Sequence, residues 1–357
     1  MINRPDYIAA IEPFIDKPLV KILAGIRRCG KSTIFEMLRE ELLRRGIGED
    51  QIICKRYTEM DIPENITAKQ MYDELTAAMA GKGHCYLLLD EIQEITGWEK
   101  TVNSLLESAD ADIYVTGSNS KLMSSEISTY LTGRYVSIPV YTLSFKEYLD
   151  FKADSTLSRR ELLEEYIRFG GFPIIALSEY DEQSAYQIVN GIYHTVVSRD
   201  IVKRHRINKQ DLFDRVVKYI IENMGKTFSA NSISTFLKSE HRKVSVESIY
   251  NYLRWLEQAF IIYPCERYDL QGKSILKTQE KYYLADVSLK YALLGYNRKM
   301  LDGAMENIVY LELKRRGYDV YIGKNDTKEI DFVATRRDER IYVQVCVRIP
   351  EASDREV

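Results

Sequence analysis

The segment best suited to chemistry is residues 25–32, with the sequence GIRRCGKS. This matches the pattern G-x-x-x-x-G-K-[ST], in which backbone N–H groups of a tight loop point at phosphate oxygens. Lys31 is placed to reach the outer phosphates, and the Ser32 hydroxyl is a ligand suited to Mg²⁺. The pattern therefore predicts a phosphate-binding loop formed by Gly25, Ile26, Arg27, Arg28, Cys29, Gly30, Lys31, Ser32 and Thr33.

A pair of carboxylates, Asp90 and Glu91, follows the apolar run YLLL at residues 86–89. Such a run is typical of a strand buried on both faces of a parallel sheet, and open α/β sheets bind ligands at the carboxyl ends of their strands. We expect Asp90 to hold the metal through water and Glu91 to be the general base that polarises the water attacking a γ-phosphate. The carboxylates alone are ambiguous, but with the loop they predict a site for Mg²⁺ and a nucleoside triphosphate.

Two further positions are candidates for contacts with a γ-phosphate. The predicted strand at residues 112–116 is followed by Ser118 and Asn119, either of which can contact the phosphate or orient water. A turn built from Gly, Ser and Asn is the alternative interpretation. Arg134, just before a predicted strand at residues 135–140, either stabilises γ-phosphate charge, in trans if the chain forms oligomers, or is an ordinary surface arginine.

The loop lies between elements that can hold it in place. A strand is predicted at residues 19–24 and a helix at residues 33–45, and apolar residues of the helix fall on one face at three- and four-residue spacings, namely Ile34, Met37, Leu38 and Leu42. A strand near residue 52 and helices at residues 6–14 and 68–79 continue the alternation. The pattern favours an α/β fold with a parallel sheet.

Composition and charge exclude several classes of protein. The chain has 357 residues, enough for two or three domains at about 150 residues each. Its net charge is -3, so any nucleic-acid surface must be local. The five cysteines contain no C-x-x-C pair, as expected in a reducing compartment. With no signal peptide and no apolar run near the ~20 residues of a membrane span, we expect a cytoplasmic protein that does not enter membranes.

In order along the chain, the motifs GIRRCGKS, YLLLDEIQ, YVTGSNS, LTGRY and LSFKEYL resemble those of a family of bacterial and archaeal AAA-type P-loop ATPases. The later GGFP and SRD at residues 170–173 and 198–200 are also similar to that family's patterns. The resemblance implies the cofactors ATP and Mg²⁺. It also implies roles for a phosphate loop at residues 25–32, a metal-and-water pair at Asp90 and Glu91, a γ-phosphate sensor at Ser118 or Asn119, and an arginine finger at Arg134.

The middle of the chain is predicted to be helical. Helices at residues 157–170 and 185–204 would form the lid that such ATPases place over the nucleotide. Arg199 either senses the phosphates from this lid or pairs with Asp200 or Glu182 on the helix surface. A role in nucleotide sensing and a structural ion pair are both compatible with the sequence.

Residues 212–268 read as three helices and a strand, a succession that resembles a winged helix, with Ser229 and Ser245 as helix caps. Residues 201–260 contain 11 Lys and Arg against 6 Asp and Glu, including His241-Arg242-Lys243 before the last helix. This predicts either DNA binding through residues 229–260, with salt-dependent phosphate contacts, or docking of a protein partner.

The C-terminal region resembles the restriction-endonuclease-like core that the family carries. A helix at residues 303–316 contains Glu306, and strands are predicted at residues 319–322, 329–334 and 340–347, the second with Asp331. An active version has an acidic residue, one residue and Lys on the third strand, where this chain has Gln344 and Cys346. Gln is a poor ligand for a hard cation and Cys supplies no positive charge, so we predict no nuclease activity.

The sequence thus predicts an α/β P-loop NTPase of the AAA type with further domains. The expected division is an ATPase core at 1–150, a helical lid at 151–206, a winged-helix-like domain at 207–270, and a small, inactive and shortened α/β restriction-endonuclease-like domain at 271–357. The predicted function is Mg²⁺-dependent ATP hydrolysis that remodels or moves a partner. The alternative is a nucleotide-gated DNA-binding regulator. ATP is favoured over GTP because the motif order is AAA-like and no N-K-x-D pattern is present.

Overall fold

The computed structural model describes residues 3–58, 66–123, 130–131, 133–207, 209–242, 244–269, 274–297, 301–325 and 328–346. The chain divides into two compact units, Met1–Val140 and Tyr141–Val357. The finer division predicted at residues 150, 206 and 270 stays a prediction. Within the described residues, no helix is both long enough and apolar enough to cross a membrane.

The first unit alternates helices and strands, and the elements predicted for it are confirmed with small shifts at their ends. Its helices are α1 (Pro5–Ile11), α2 (Lys31–Arg44), α3 (Ala68–Met79) and α4 (Trp98–Ser108). Its strands are β1 (Val20–Ala24), β2 (Ile52–Arg56), β3 (Cys85–Asp90), β4 (Ala111–Gly117) and β5 (Tyr135–Pro139). The strands pair in parallel in the order β2-β3-β4-β1-β5.

This strand order determines where the candidate side chains lie. β1 and β3 are buried along their whole length, in agreement with their apolar sequences. β4 lies between them, so the ends of these three strands meet at one edge of the sheet. The loop after β1, the carboxylates at the end of β3 and the polar residues after β4 therefore lie side by side.

Lys21 is a charged residue within the buried strand β1. Its Nζ donates to Asp112 Oδ1 on β4 and, at 2.9 Å, to the carbonyl of Lys17. The other Asp112 oxygen accepts from the Tyr114 hydroxyl at 2.6 Å. Burial lowers the pKa of Lys21, while Asp112 opposes the shift. The pair is stable because each charged atom keeps a polar partner.

The second unit is helical at first and then forms a sheet. Its helices are α5 (Phe145–Phe151), α6 (Arg159–Phe169), α7 (Pro173–Ala176), α8 (Glu182–Thr195), α9 (Lys203–His205), α10 (Gln210–Glu222), α11 (Ala230–Ser239), α12 (Val246–Gln258), α13 (Ser288–Leu294) and α14 (Leu301–Arg315). Its strands are β6 (Ile262–Asp269), β7 (Ser274–Leu284), β8 (Asp319–Asn325), β9 (Lys328–Arg336) and β10 (Glu339–Val343). They pair in the order β10-β9-β8-β6-β7, with β6 and β8 parallel and the other pairs antiparallel.

The strands of the second unit differ from those predicted. The predicted strand at residues 261–268 is β6, but it pairs with β7, which the sequence did not predict, and with the predicted strand β8. The winged-helix pattern and the endonuclease-like pattern therefore contribute strands to one sheet. The prediction of the last C-terminal strand, at residues 340–347, is wrong at its end. β10 stops at Val343, and residue 347 lies outside the described residues.

The helix predicted at residues 185–204 is irregular. It begins with α8, continues as a π-helix at Val196–Val202 and ends with α9. Glu182, one predicted partner of Arg199, pairs with Arg168. A nucleotide-sensing role for Arg199 stays a prediction.

The GGFP segment after α6 is held by a buried carboxylate. Gly170 has a φ of 73°, and a Cβ at this position would collide with Asp286. Asp286 accepts the N–H groups of Gly171 at 2.8 Å and Ser288 at 3.0 Å. These contacts of Asp286 tie the end of α6 to the start of α13.

Replacing Asp112 with Ala should destabilise the first unit by about 3 kcal/mol, because it leaves Lys21 buried without its carboxylate. Urea unfolding followed by hydrogen exchange in β1 and β4 measures the change. Asp73→Ala, which breaks the exposed pair with Lys69, is the control and should cost less than about 1 kcal/mol. Equal stability of the two variants would contradict this account of the buried pair.

Candidate active site

The phosphate-loop residues form a tight turn between β1 and α2. Arg28 and Gly30 have φ values of 67° and 101°, which lie in the left-handed region. Gly25 has no space for a side chain, because a Cβ would collide with the carbonyl oxygen of Val140. This backbone brings the loop over the start of α2, where the unpaired N–H groups and the helix dipole favour an anion.

The Lys31 side chain is buried and bonds to carbonyls of the loop. Its side chain is 3% exposed, and Nζ donates to the carbonyls of Gly25 at 2.9 Å and Ile26 at 3.2 Å. The same Nζ lies 3.7 Å from Glu91 Oε1. The structure thus brings the predicted lysine and the predicted base together.

Asp90 is the most heavily bonded carboxylate of the site. Its Oδ2 accepts from Ser32 Oγ at 2.7 Å and from Arg56 Nε at 3.1 Å, and its Oδ1 accepts from Thr116 Oγ1. The predicted metal ligands, Ser32 and Asp90, are therefore neighbours. Thr116 and Arg56 are contacts that the sequence did not indicate.

The donor set fits Mg²⁺. A hydroxyl and a buried carboxylate are hard oxygen ligands, and Mg²⁺ beside nucleotides uses one or two carboxylates together with phosphate and water. Among the described residues, no group of three or more His, Cys, Asp or Glu is arranged to hold a metal. Ser32 and Asp90 would accordingly hold the ion together with a bound phosphate.

Glu91 lies just beyond β3 in a left-handed conformation, with φ of 54°. Its N–H donates to Thr116 Oγ1 at 3.0 Å, and its carboxylate lies 3.8 Å from Arg27 as well as close to Lys31. Burial by itself raises the pKa of Glu91, but Lys31, Arg27 and two hydrogen bonds outweigh it, and the net shift is downward. The carboxylate is therefore ionised at neutral pH, as a base must be.

Ser118 and Asn119 are both buried, and Ser118 lies beside the Glu91 carboxylate. Ser118 Oγ donates to Glu91 Oε2 at 3.1 Å, and Gln93 Nε2 lies within hydrogen-bond distance of both. The carbonyl of Asn119 accepts from Leu122 N at 3.1 Å, which makes it part of the turn. Ser118, one of the two predicted candidates, contacts Glu91, and Gln93 is a contact that the sequence did not indicate.

Arg134 lies beside the amino end of β1, at the opposite end of this strand from the phosphate loop. Its carbonyl accepts from Val20 N at the amino end of β1, so the length of β1, roughly 16 Å for five residues, separates it from the loop. Its guanidinium donates to Asn103 at 2.8 Å and Glu107 at 2.7 Å on α4. Arg134 does not reach the phosphate loop of its own chain, and its predicted role in trans stays a prediction.

Arg4 is a site residue that the sequence did not indicate. Its guanidinium is buried, donates to the carbonyl of Cys29 at 2.8 Å and lies 4.5 Å from the centre of the Tyr7 ring. Its backbone N–H donates to Met37 Sδ on α2 at 3.5 Å. Arg4 therefore joins the phosphate loop to α1 and α2. An arginine before Pro5 carries no motif that would have revealed this.

The predicted DNA-binding segment is partly described. Ser229 and Ser245 cap α11 and α12 as predicted, accepting from the N–H groups of Ser232 and Ser248. Arg242 pairs with Asp211, which offsets its charge, and Lys243 lies outside the described residues. DNA binding through residues 229–260 stays a prediction.

The carboxylates of the predicted nuclease half-site have protein partners. Glu306 accepts from the Tyr283 hydroxyl at 3.0 Å and lies 3.5 Å from Lys281 Nζ. Asp331 accepts from the N–H of Val345 at 2.8 Å. Gln344 and Cys346 follow the end of β10, and the absence of nuclease activity stays a prediction.

Comparison with known proteins identifies the class. A family model described as an AAA domain matches residues 17–149, which contain the loop, both carboxylates and the five-stranded parallel sheet. Most of the first unit thus matches an AAA domain. A second model, described as a domain of unknown function, matches residues 160–299.

The chain belongs to a family of uncharacterized proteins found in bacteria and archaea. It is 38% identical over 354 residues to a protein of Haemophilus influenzae, covering 98% of this chain and 88% of the relative. It is 32% identical to the protein MJ1544 of Methanocaldococcus jannaschii, covering 95% and 77%. Both relatives are named only as uncharacterized.

Two solved structures are similar at a low level. Cdc6p of Pyrobaculum aerophilum gives a TM-score of 0.35 at 10% identity, covering 86% of this chain and 93% of the other. The Orc1 protein of Aeropyrum pernix, solved in complex with DNA, gives 0.36 at 13% identity, covering 81% and 90%. The assignment to the AAA class rests on the family model and on the geometry of the site.

Replacing Arg4 with Met should loosen the phosphate loop, because the carbonyl of Cys29 loses a charged donor worth about 2 kcal/mol. Hydrogen exchange of the amides at residues 25–32 should accelerate by roughly tenfold or more. Arg28→Met, an exposed arginine of the same loop, is the control and should change protection little. Unchanged protection in the Arg4 variant would show that Arg4 does not hold the loop.

Proposed function

We propose that the first unit binds ATP with Mg²⁺ and hydrolyses it, and that the chain uses this cycle to remodel or move a partner. The observation that supports the proposal is the convergence of Lys31, Ser32, Asp90 and Glu91 at one sheet edge, with Glu91 3.7 Å from Lys31 and Ser32 2.7 Å from Asp90. Phosphate grip, metal ligands and base are the parts that phosphoryl transfer to water requires.

Binding of the phosphates requires an exchange of partners at Lys31. Its ammonium donates to the carbonyls of Gly25 and Ile26, and it would turn from them to the β- and γ-phosphates. The N–H groups of the loop and the start of α2 would bind the remaining phosphate oxygens. When bound by Ser32 and Asp90, Mg²⁺ supplies charge neutralisation at these oxygens.

Glu91 is the proposed general base. Its ionised carboxylate would accept a proton from the attacking water, and the Ser118 hydroxyl and the Gln93 amide hold the carboxylate in place. The two neighbouring carboxylates have different contacts, since Asp90 accepts from Ser32 whereas Glu91 lies beside Lys31 and accepts from Ser118. Arg134 is proposed to act in trans, on the site of a neighbouring copy of the chain.

The partner would be a protein, or DNA bound through residues 229–260. A regulator that only binds nucleotide and DNA is the alternative function. The rate of turnover distinguishes the two, because a gated regulator does not require Glu91 as a base.

Replacing Glu91 with Gln should lower ATP turnover by about 100-fold or more, since a general base contributes this much, while ATP binding is retained. Steady-state phosphate release and equilibrium binding of ATP measure the two effects. Glu49→Gln, an exposed glutamate paired with Arg39, is the matched control and should behave like the wild type. A wild type that binds ATP but turns it over no faster than the variant would reject the ATPase function in favour of the regulator.

Replacing Arg27 with Gln should move the acid limb of single-turnover hydrolysis to higher pH. Arg27 is one of the cations that lower the pKa of Glu91, and the base is active above this pKa and lost as the pH falls through it. Arg28→Gln removes the same charge from the exposed side of the loop and is the control. If both variants share the wild-type acid limb, Glu91 is not the group that titrates.

A further inference from the structure

Arg56 lies at the metal side of the candidate site. It is the last residue of β2, and its backbone lies opposite Asp90, the last residue of β3. The N–H of the next residue, Tyr57, donates to the carbonyl of Asp90 at 3.1 Å. The sheet itself therefore keeps Arg56 beside Asp90.

The Arg56 side chain contacts the oxygen that the metal requires. Nε donates at 3.1 Å to Asp90 Oδ2, which is also the acceptor for Ser32 Oγ at 2.7 Å. Since the other Asp90 oxygen accepts from Thr116, the guanidinium and the serine hydroxyl hold the side of the carboxylate that faces the loop. A cation bound between Ser32 and Asp90 would meet the positive charge of Arg56.

The ion pair between Arg56 and Asp90 can break. The side chain of Arg56 is 43% exposed, whereas that of Asp90 is 6% exposed. Glu36 Oε1 on α2 lies 4.0 Å from Arg56 Nη2 and offers a second carboxylate to a displaced guanidinium. Arg56 can therefore leave Asp90 without losing all ionic partners, and Asp90 cannot leave the site.

A cavity adjoins this contact. It has a volume of about 250 Å³ and is lined by residues that include Ser32, Glu36, Arg56 and Asp90. At about 30 Å³ per water molecule, it has room for a cation with several of its waters, which Mg²⁺ gives up reluctantly. A hydrated Mg²⁺ ion would therefore have space to approach Asp90 from the side on which Arg56 lies.

We propose that Arg56 is a positioning residue that takes the place of the metal ion, so that Mg²⁺ must displace its guanidinium from Asp90. This inference rests on the proposed function. In the metal-free site, Arg56 supplies the positive charge that Asp90 requires and keeps it oriented toward Ser32. Metal binding is then a competition, and Arg56 sets the Mg²⁺ concentration at which the site becomes competent.

The test is a titration of the full chain with Mn²⁺, which replaces Mg²⁺ and is detected by electron paramagnetic resonance, in the presence of the non-hydrolysable ATP analogue AMP-PNP. Arg56→Gln should lower the half-saturating Mn²⁺ concentration by about three- to tenfold, the range expected for one partly exposed charged contact. Arg56→Lys keeps the charge and should lie closer to the wild type. AMP-PNP affinity in EDTA should change by less than about twofold in either variant.

Arg39→Gln is the matched control, because it removes the same charge from a pair with Glu49 and does not contact Asp90. It should leave the Mn²⁺ titration unchanged. An unchanged or higher half-saturating concentration in Arg56→Gln would overturn the proposal for Arg56 alone. A wild type that binds no AMP-PNP with Mn²⁺ would instead overturn the proposed function, and the inference with it.

Discussion

The hydrogen bonds to Asp90 are the constraint on which the site depends. One carboxylate accepts from Ser32 of the loop helix, from Thr116 of β4 and from Arg56 of β2. These donors come from three different elements, so the carboxylate fixes the position of the loop helix relative to the sheet edge. Glu91 follows directly, and its own N–H also donates to Thr116. Through Ser32 and Thr116, a single buried acceptor thus connects the proposed metal ligands with the proposed base.

A buried charge destabilises the fold unless it has a partner of opposite charge or a hydrogen-bond partner. The first unit supplies such partners at both ends of its strands. At the edge opposite the loop, Lys21 is neutralised by Asp112. At the loop edge, Lys31 is held by two carbonyls and lies near Glu91. The first pair is fully enclosed, with side chains 0% and 1% exposed, whereas Glu91 of the second pair is 13% exposed.

The sequence predicted most of the first unit because its information there is local. Apolar runs identify β1 and β3, periodicity identifies α2, and the loop motif fixes which strand end matters. The contacts of Arg4 and Gln93 were not predictable, since each depends on how distant elements pack. The same holds for β7, whose sequence SILKTQEKYYL mixes polar and apolar residues and becomes a strand by pairing with β6.

The exposure of charged partners separates the candidate active site from the cluster around Glu306 in the second unit. In the first unit, Arg56 is 43% exposed and so can be replaced at Asp90 by another cation. In the second unit, Lys281 is 5% exposed and pairs with Glu306 and Glu329, whose side chains are 16% and 35% exposed, so both carboxylates depend on the same buried ammonium. Burial raises the pKa of Glu306 and Asp331 adds to the shift, while Lys281 opposes it. Glu306 and Glu91 thus differ in the direction of their pKa shifts, because the cations beside Glu91 outweigh its burial and the cation beside Glu306 does not.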